Sequence, residues 1–291
     1  MKLLDGALVA AHYKEQIKEE VKTLVSKGYK KPHLAAILVG NNPASEAYVG
    51  AKVRTCEEIG FASTLLRLDA SIDEASLLNE IAALNENKDV DGILVQLPLP
   101  KHIREAAIIN AIDPAKDVDG FHPVSIGKLV LGEDTFLPAT PYGILLMLSY
   151  YGINLAGKHC VVIGRSNIVG TPMSILLSRN NAYGNATVTL THSKTKDLKA
   201  HCLQADVIIA AIGIPYFLKA DMVKEGAIII DVGINRIEDA SKKSGSRLVG
   251  DVDFDKVAPK CSYITPVPKG VGPMTICGLM QNTLNAVKNK N

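Results

Sequence analysis

A run of apolar residues followed by two spaced glycines constrains the fold of this chain more than any other feature. His159–Ile163 is mostly branched and apolar, and Gly164, Gly170 and Pro172 follow it. Glycine after a buried strand lets the backbone turn sharply and approach a phosphate, and a second glycine allows close packing of strand and helix. The pattern predicts a strand that turns into a helix whose first N–H groups face an anion. An ordinary turn without a ligand stays open, because the spacing is not the full dinucleotide fingerprint.

The residues around this turn favour a phosphorylated nucleotide. Arg165 and Ser166 place a guanidinium and a hydroxyl at the mouth of the turn. The next predicted strand, Ala186–Thr191, leads into Ser193 and Lys194. An NAD site usually has an acidic residue there, which binds the ribose 2′-hydroxyl. Because this chain has a hydroxyl and a cation instead, we predict NADP rather than NAD as the cofactor.

Length and periodicity predict two α/β domains. A chain of 291 residues fits two domains of about 150 residues each, and 47% hydrophobic residues suffice for two cores. Residues 34–39, Asp206–Ala211 and Ala227–Asp231 are apolar strand-like runs separated by helical patterns. This alternation is typical of a doubly wound parallel sheet.

Charge, cysteines and hydropathy exclude several classes of protein. The net charge of +2 gives no basic stripe for nucleic acid. Five scattered cysteines, none in a C-x-x-C pair, favour reduced thiols in the cytoplasm and argue against a metal cluster. The amino terminus superficially resembles a signal peptide, but Asp5 interrupts it and charged residues follow, so we predict a surface helix there. No apolar run reaches the length of a membrane span.

A helix predicted over Ala44–Ile59 carries a tyrosine and a lysine on one face. Tyr48 and Lys52 are four residues apart, so their side chains lie one above the other. A ring offers a flat binding surface, and a desolvated ammonium has a lowered pKa that suits proton transfer near neutrality. A solvated lysine beside a half-buried tyrosine is the alternative.

Two polar residues follow at predicted loop positions. Gln96 ends the apolar strand Gly92–Gln96, and ligands collect at the carboxyl ends of such strands; a strand-end amide that satisfies a loop is the alternative. Asp119 lies in residues 113–140, which lack periodicity and are predicted to be an irregular functional or linking segment. Its carboxylate could bind an amino-substituted heterocycle or simply stabilise an Asx turn.

The carboxyl-terminal part predicts a rigid loop and a final helix. Residues 264–275 are rich in glycine and proline, and a helix is predicted from there to Val287. Glu238–Arg247 is charged and predicts a solvated surface turn.

Six segments, taken together, resemble the bifunctional methylenetetrahydrofolate dehydrogenase/cyclohydrolase family over nearly the whole length. The segments are Ser45–Lys52 (S-x-x-Y-V-x-x-K), Val95–Pro100 (VQLPLP), Lys116–Pro123 (KDVDGFHP), Gly164–Pro172 (GRSNIVGTP), Asp231–Arg236 (DVGINR) and Pro266–Thr275 (PVPKGVGPMT). They occur in the order of the family. The resemblance implies two α/β domains flanking a cleft, the second Rossmann-like, in a chain that forms a homodimer.

The resemblance also implies domain limits and residue roles. Residues 1–140 would bind folate, residues 141–272 would bind NADP, and a final helix over 273–291 would return to the first domain. Lys52 would be catalytic, Tyr48 would flank the aminobenzoyl ring, Gln96 would act with Lys52, and Asp119 would hold the pterin amino group. The full implied substrate set is Tyr48, Lys52, Val95, Gln96, Leu97, Asp119, Pro268, Gly270, Val271, Gly272 and Pro273. The implied NADP set is Gly164, Arg165, Ser166, Ser193 and Ile234.

The implied activity is oxidation of 5,10-methylenetetrahydrofolate with NADP, followed by hydrolysis to 10-formyltetrahydrofolate, within one-carbon metabolism. Lys269 and Ser125 depart from the family, which usually has glycine and asparagine there. Lys269 puts the local loop conformation in question and could add an anion contact. Neither departure touches Lys52, Gln96 or Asp119.

Three other functions compete with this interpretation. Tyr-x-x-x-Lys is also the signature of the short-chain dehydrogenases, but there the pair follows the nucleotide-binding turn, whereas Tyr48 and Lys52 precede Gly164. A non-catalytic NADP-sensing protein could keep the fold, but nothing would preserve the residue types at its former catalytic positions. In this chain Lys52, Gln96 and Asp119 all lie in segments that match the family. A dehydrogenase without cyclohydrolase activity stays open.

Overall fold

The computed structural model describes residues 1–242 and 245–289. The chain forms two compact units. The six-stranded unit comprises residues 1–10 and 140–275, and the three-stranded unit comprises residues 11–139 and the chain from 276 onward. The first ten residues thus lie with residues 140–275, whereas the domain prediction grouped them with residues 11–140. Within the described ranges, no helix combines the length and the apolar character that crossing a membrane requires.

The helices and strands alternate along most of the chain. The helices are α1 Gly6–Ser26, α2 Pro43–Ile59, α3 Glu74–Glu86, α4 Glu105–Ala111, α5 Pro123–Leu131, α6 Ala139–Tyr150, α7 Gly170–Ser178, α8 Leu198–Gln204, α9 Phe254–Val257 and α10 Val271–Lys288. The strands are β1 Lys2–Leu3, β2 His33–Val39, β3 Ala62–Leu68, β4 Gly92–Val95, β5 His159–Ile163, β6 Thr187–Thr191, β7 Val207–Ala210, β8 Ile228–Asp231, β9 Asn235–Glu238, β10 Ser246–Val249 and β11 Tyr263–Ile264.

The six-stranded unit is built on a parallel sheet in the order β1-β11-β8-β7-β5-β6. Strands β7 and β8 are buried at every position, as expected for continuous apolar runs inside a parallel sheet. A separate antiparallel hairpin pairs β9 with β10. The predicted α/β class with a Rossmann-like parallel sheet is confirmed.

The three-stranded unit has a parallel sheet in the order β3-β2-β4, with β2 in the centre. Helix α2 packs beside it and has well-formed ends. The Asn42 side chain accepts hydrogen bonds from the backbone N–H groups of Ala44 and Ser45, and Gly60 ends the helix at φ 86°. The later part of α10 contributes Leu279, Met280 and Leu284 to the core of this unit. The position of α2 is therefore fixed by both caps and core.

Both parallel sheets share one arrangement at the start of a strand that has a neighbour on each side. In the six-stranded unit, His159 Nε2 lies 2.9 Å from Thr189 Oγ1, and the His159 N–H donates to Asp206 Oδ2 at 2.8 Å. The same two contacts in the three-stranded unit join His33 to Thr64 at 2.9 Å and to Asp91 at 3.0 Å. Each histidine thereby connects the start of its own strand to the two strands on either side of it. The sequence showed no repeat, because so few shared residues carry it.

One prediction about an irregular segment was wrong. Residues 113–140 contain helix α5, which His122 caps by accepting a hydrogen bond from the Val124 N–H and which Gly132 ends at φ 85°. The helix was missed because exposed apolar residues such as Val130 and Leu131 blur its periodicity. The predicted surface turn Glu238–Arg247 contains the connection between β9 and β10, and only its end residues Glu238, Ser246 and Arg247 belong to those strands. Its residues 243 and 244 lie outside the described part of the chain.

All five cysteines are buried thiols. Burial raises the pKa of Cys56, Cys160 and Cys277 to about 12, and the pKa of Cys202 and Cys261 to about 11. These thiols are core residues, as the scattered spacing predicted.

Candidate active site

A buried lysine lies at the centre of a polar cluster in the three-stranded unit, formed by Lys52, Gln96 and Asp119. Lys52 is only 6% exposed on helix α2, where a helical stripe of buried residues carries it inward. Its ammonium donates a hydrogen bond to Gln96 Oε1 at 3.0 Å. The structure thus brings together the lysine and the glutamine that the resemblance paired, and the solvated-lysine alternative is excluded.

Gln96 is held in one orientation. Its backbone N–H donates to the Ile37 carbonyl at 2.9 Å, which continues the sheet just past β4. Its side-chain Nε2 donates to the Leu97 carbonyl at 2.7 Å. Because the amide nitrogen is occupied there, the oxygen faces Lys52. Val95, which precedes it, is buried, and Leu97 packs against the core of the same unit.

The electrostatics of the cluster bring a lysine and a carboxylate toward their neutral forms. Burial lowers the pKa of Lys52, and the charge of Asp119 opposes part of that shift. Burial raises the pKa of Asp119 to about 6; Lys52 opposes this rise and Asp117 adds to it. Burial also raises the pKa of half-buried Tyr48. A lysine with a lowered pKa can accept and return a proton near neutrality.

The segment around Asp119 is anchored by two residues whose roles sequence reasoning missed. The Lys116 ammonium is buried and donates to the carbonyls of Leu84, Asn85 and Asn87, which end helix α3. Asp117 accepts hydrogen bonds from the backbone N–H groups of residues 121 and 122 and from the Ser125 hydroxyl at 2.7 Å. The departure at Ser125 therefore keeps a hydrogen bond to this segment. The KDVDG motif contains these charged residues, but the motif alone does not show that Lys116 and Asp117 have structural roles whereas Asp119 is a candidate functional residue.

A third residue that sequence reasoning missed holds the two backbone segments that flank Asp119. Asn282 on α10 is 1% exposed, and its Nδ2 donates to the carbonyls of Val118 at 2.8 Å and Leu137 at 2.7 Å. The Asp119 carbonyl also accepts a hydrogen bond from the Ala139 N–H at 3.2 Å. The sequence did not single out Asn282, because Gln281, Thr283 and Asn285 lie beside it on the same helix.

Replacing Asn282 by leucine will destabilise the three-stranded unit by about 2 to 4 kcal/mol, because two buried carbonyls lose their donor. Urea unfolding measures the change. Asn285→Leu, one turn along the same helix, changes a half-buried side chain that contacts Gln281, and should cost less than about 1 kcal/mol. Equal losses in both variants would contradict the role given to Asn282.

The six-stranded unit contains the predicted strand-to-helix turn. Gly164 has φ 111°, and a Cβ there would lie 2.2 Å from the Ala211 carbonyl oxygen, so glycine is required. The Ser166 hydroxyl accepts hydrogen bonds from the N–H groups of Val169 and Gly170, where helix α7 begins. Arg165 and Ser166 are exposed. The turn therefore presents an exposed guanidinium group beside a helix amino terminus.

Other predicted cofactor residues lie at the same edge of this sheet. Ser193 follows β6 and is exposed, and Ile234 follows β8 and is 43% exposed. Ile168 and Ile214, which sequence reasoning did not single out, are 39% and 50% exposed after β5 and β7. Apolar side chains exposed at the carboxyl edge of a parallel sheet suit the flat rings of a nucleotide.

The loop rich in glycine and proline near the carboxyl terminus is shorter than the predicted loop over residues 264–275. Helix α10 begins at Val271, so residues 271–275 are helical rather than part of the loop before the helix. Lys269 has φ 79°, a left-handed conformation that glycine adopts freely, and its carbonyl accepts a hydrogen bond from the Ala7 N–H at 3.1 Å. Gly270 packs so closely on Gly6 that a Cβ at Gly6 would lie 1.8 Å from the Gly270 oxygen. The loop thus accommodates the lysine in a backbone conformation suited to glycine.

Comparisons with known proteins agree along the whole chain. The family model described as tetrahydrofolate dehydrogenase/cyclohydrolase, catalytic domain, matches residues 4–119, and the NAD(P)-binding domain of the same family matches residues 138–291. The chain is 60% identical over 286 residues to the bifunctional protein FolD of Cytophaga hutchinsonii, which covers 98% of this chain and 99% of that protein.

Solved structures give the same result. The bifunctional enzyme FolD, methylenetetrahydrofolate dehydrogenase/cyclohydrolase, from Campylobacter jejuni is 51% identical, with a TM-score of 0.93 and coverage of 100% of both chains. The N5,N10-methylenetetrahydrofolate dehydrogenase-cyclohydrolase of Trypanosoma brucei, solved with NADP cofactor and inhibitor, is 37% identical, with a TM-score of 0.93 and coverage of 98% and 97%. Because both domain models match in order and these relatives span the full length, the chain belongs to the tetrahydrofolate dehydrogenase/cyclohydrolase family.

Proposed function

We propose that this protein oxidises 5,10-methylenetetrahydrofolate to 5,10-methenyltetrahydrofolate with NADP and hydrolyses the product to 10-formyltetrahydrofolate. The observation that carries the proposal is the desolvated Lys52 ammonium, held by Gln96 at 3.0 Å and electrostatically coupled to Asp119. Family membership supplies the substrate class. A solvated surface lysine could not serve this chemistry, since its pKa would keep it protonated near neutral pH.

The residues of the six-stranded unit fit NADP. The Gly164 turn would approach the pyrophosphate, while Arg165, Ser166 and Ser193 would bind the 2′-phosphate, and Ile234 would contact a ring face. Position 193 is a serine, whereas an NAD site usually has an acidic residue there that binds the ribose 2′-hydroxyl. The Trypanosoma brucei relative was solved with NADP. When bound, NADP accepts the hydride that leaves the folate methylene group.

On the folate side, we assign roles to residues of the three-stranded unit. Tyr48 would flank the aminobenzoyl ring, Asp119 would accept hydrogen bonds from the pterin amino group, and Val95 and Leu97 would contact the substrate beside Gln96. The ring of Tyr48 is half-buried and Asp119 retains partial exposure, so both can meet a ligand. The remaining substrate residues, Pro268 and residues 270–273, stay a prediction from the resemblance.

Hydrolysis of the methenyl product requires proton transfer, and Lys52 is the group that can perform it. Neutral Lys52 would take a proton from the water that adds to the bridging carbon. It would return that proton to N5, the C–N5 bond would break with its electron pair going to N5, and the hydroxyl on the bridging carbon would lose its own proton to solvent as the C=O bond of the N10-formyl group forms. Gln96 would act as a positioning residue by holding the amine through its Oε1. The hydride step needs alignment more than proton transfer.

A single assay tests the proposed function. Methylenetetrahydrofolate and NADP are mixed with the protein, and NADPH formation and the methenyl absorbance are followed together. We expect NADPH to form and the methenyl signal to decay faster than in buffer. NADPH formation with methenyl decay at the buffer rate would indicate a dehydrogenase alone, and binding of NADP without NADPH formation would indicate a non-catalytic sensor.

Replacing Asp119 by asparagine will shift the acidic limb of the cyclohydrolase pH profile to lower pH. The charge of Asp119 raises the pKa of Lys52, so its removal lowers that pKa further and leaves the amine neutral at lower pH. Normalised rates across pH measure the shift. Asp113→Asn, an exposed residue of the same segment, is the control and should leave the profile in place. A profile that stays at its wild-type position in Asp119→Asn would contradict the coupling.

We further propose that the protein acts as a cytoplasmic homodimer. The resemblance supports the dimer, and the five buried thiols suit a reducing compartment. Sedimentation at micromolar concentration tests the oligomeric state.

A further inference from the structure

Two buried carboxylates lie together at the carboxyl edge of the six-stranded sheet, outside the residues assigned above. Asp231 ends β8 and is 3% exposed, and Asp251 follows β10 and is 0% exposed. The backbone N–H of Asp251 donates to Asp231 Oδ1 at 2.9 Å. Buried carboxylates are costly unless hydrogen bonds satisfy them, so their partners indicate what they do.

Asp251 joins two separate loops with one carboxylate. Its Oδ2 accepts hydrogen bonds from the backbone N–H groups of Ile212 at 2.7 Å and Gly213 at 2.9 Å, directly after β7. Its Oδ1 accepts one from the side-chain Nδ2 of Asn235 at 2.9 Å, at the start of β9. All three partners are donors, so the site requires two acceptor oxygens.

Asp231 in turn fixes the backbone that carries Asp251. Its Oδ1 also accepts from the Gly233 N–H at 3.0 Å, and its Oδ2 accepts from the Val252 N–H at 3.0 Å. The packing leaves no space for side chains at the neighbouring glycines, because a Cβ at Gly250 would lie 1.8 Å from Asp231 Oδ2. A Cβ at Gly233 would lie 2.2 Å from Asp251 Oδ1. The Asp251 carboxylate is therefore held in one place.

We propose that Asp251 is a positioning residue for NADP, holding the loops after β7 and β8 in the conformation that binds the cofactor. The two tethered loops carry Ile214 and Ile234, which are 50% and 43% exposed beside the tethered residues. Asp251 is fully buried and acts through Gly213 and Asn235 rather than by contact with the ligand. This inference rests on the proposed NADP-dependent function.

The test replaces Asp251 by asparagine in the full-length protein. The amide is nearly isosteric, but its NH₂ group must face a donor at either position, so one loop is released. We expect the Kd for NADPH, from fluorescence titration, to rise about tenfold, as loss of a charge-assisted hydrogen bond implies. The cyclohydrolase rate on methenyltetrahydrofolate without NADP should stay within about twofold of wild type, because that chemistry uses the three-stranded unit.

Asp206→Asn is the matched control. Asp206 accepts the His159 N–H at 2.8 Å and pairs with Lys224 at the opposite, amino-terminal edge of the same sheet. This variant loses a partly exposed carboxylate of the same sheet but should bind NADPH as wild type does. Asn235→Ala removes a single donor to Asp251, and we expect it to weaken NADPH binding as well. This variant keeps the proposal testable even if Asp251→Asn does not fold.

The outcomes separate the inference from the function on which it rests. Weaker NADPH binding with cyclohydrolase activity retained, and only in the Asp251 and Asn235 variants, supports the positioning role. Unchanged NADPH binding in folded Asp251→Asn or in Asn235→Ala, or an equal loss in Asp206→Asn, overturns it. Failure of the wild-type protein to bind NADPH would instead refute the proposed function.

Discussion

Lys52→Met will abolish cyclohydrolase turnover and strongly reduce dehydrogenation, while folate binding falls less. Methionine nearly matches the length of the lysine stem, so the buried volume on α2 is kept and the change is chiefly the loss of the amine. General acid–base groups contribute about 100- to 10,000-fold to rate, and we expect a loss of at least about 100-fold in hydrolysis. Decay of the methenyl absorbance measures it, and folate binding is followed by calorimetry.

Lys14→Met is the control for that substitution. Lys14 belongs to the same unit but forms an ion pair with Glu58, partly exposed to solvent. Such pairs contribute little, so this variant should keep both activities. Wild-type hydrolysis by Lys52→Met would rule out the proton-transfer role of the amine, and a parallel loss in Lys14→Met would point to general destabilisation.

Arg165→Ala will weaken NADP binding far more than NAD binding. The guanidinium is exposed beside the Gly164 turn, and only NADP presents a 2′-phosphate for it. Loss of a charge-assisted contact of this kind should raise the KM for NADP by about 10- to 100-fold. The KM for NAD should change by less than about threefold, since NAD lacks the phosphate. Steady-state dehydrogenase kinetics with both cofactors give the comparison.

Arg179→Ala supplies a control with the same change in net charge. Arg179 lies at the other end of helix α7, so its removal alters the long-range field in a similar way without touching the turn. Its variant should leave the KM for both cofactors near wild type. Equal losses for NADP and NAD in Arg165→Ala would remove the assignment of Arg165 to the 2′-phosphate.

The sequence predicted those parts of the fold whose signals are local. The strands at residues 34–39 and His159–Ile163 were found within one residue, because apolar runs bounded by glycine specify both a buried strand and its end. The packing of the first ten residues against the six-stranded sheet could not be predicted from local patterns of this kind. Strand β1 pairs Lys2 with Tyr263, and no local pattern reports a contact so distant in the chain.

The candidate site was predictable in its polar pair but not in its supports. A lysine on a helix face and a glutamine at a strand end marked the pair that the structure places 3.0 Å apart. Lys116 and Asn282 were missed because their importance lies in which carbonyls they satisfy, and those partners come from distant segments. Asp251 was missed for the same reason, since its three donors come from two loops.

The buried cysteines give the protein a set of internal reporters. A thiol with a pKa near 11 or 12 inside a packed core is inert to alkylating reagents until the structure around it opens. Cys160, Cys202 and Cys261 belong to the six-stranded unit, whereas Cys56 and Cys277 belong to the three-stranded unit. Labelling kinetics read by mass spectrometry can therefore time the opening of each half of the molecule separately, with no engineered probe.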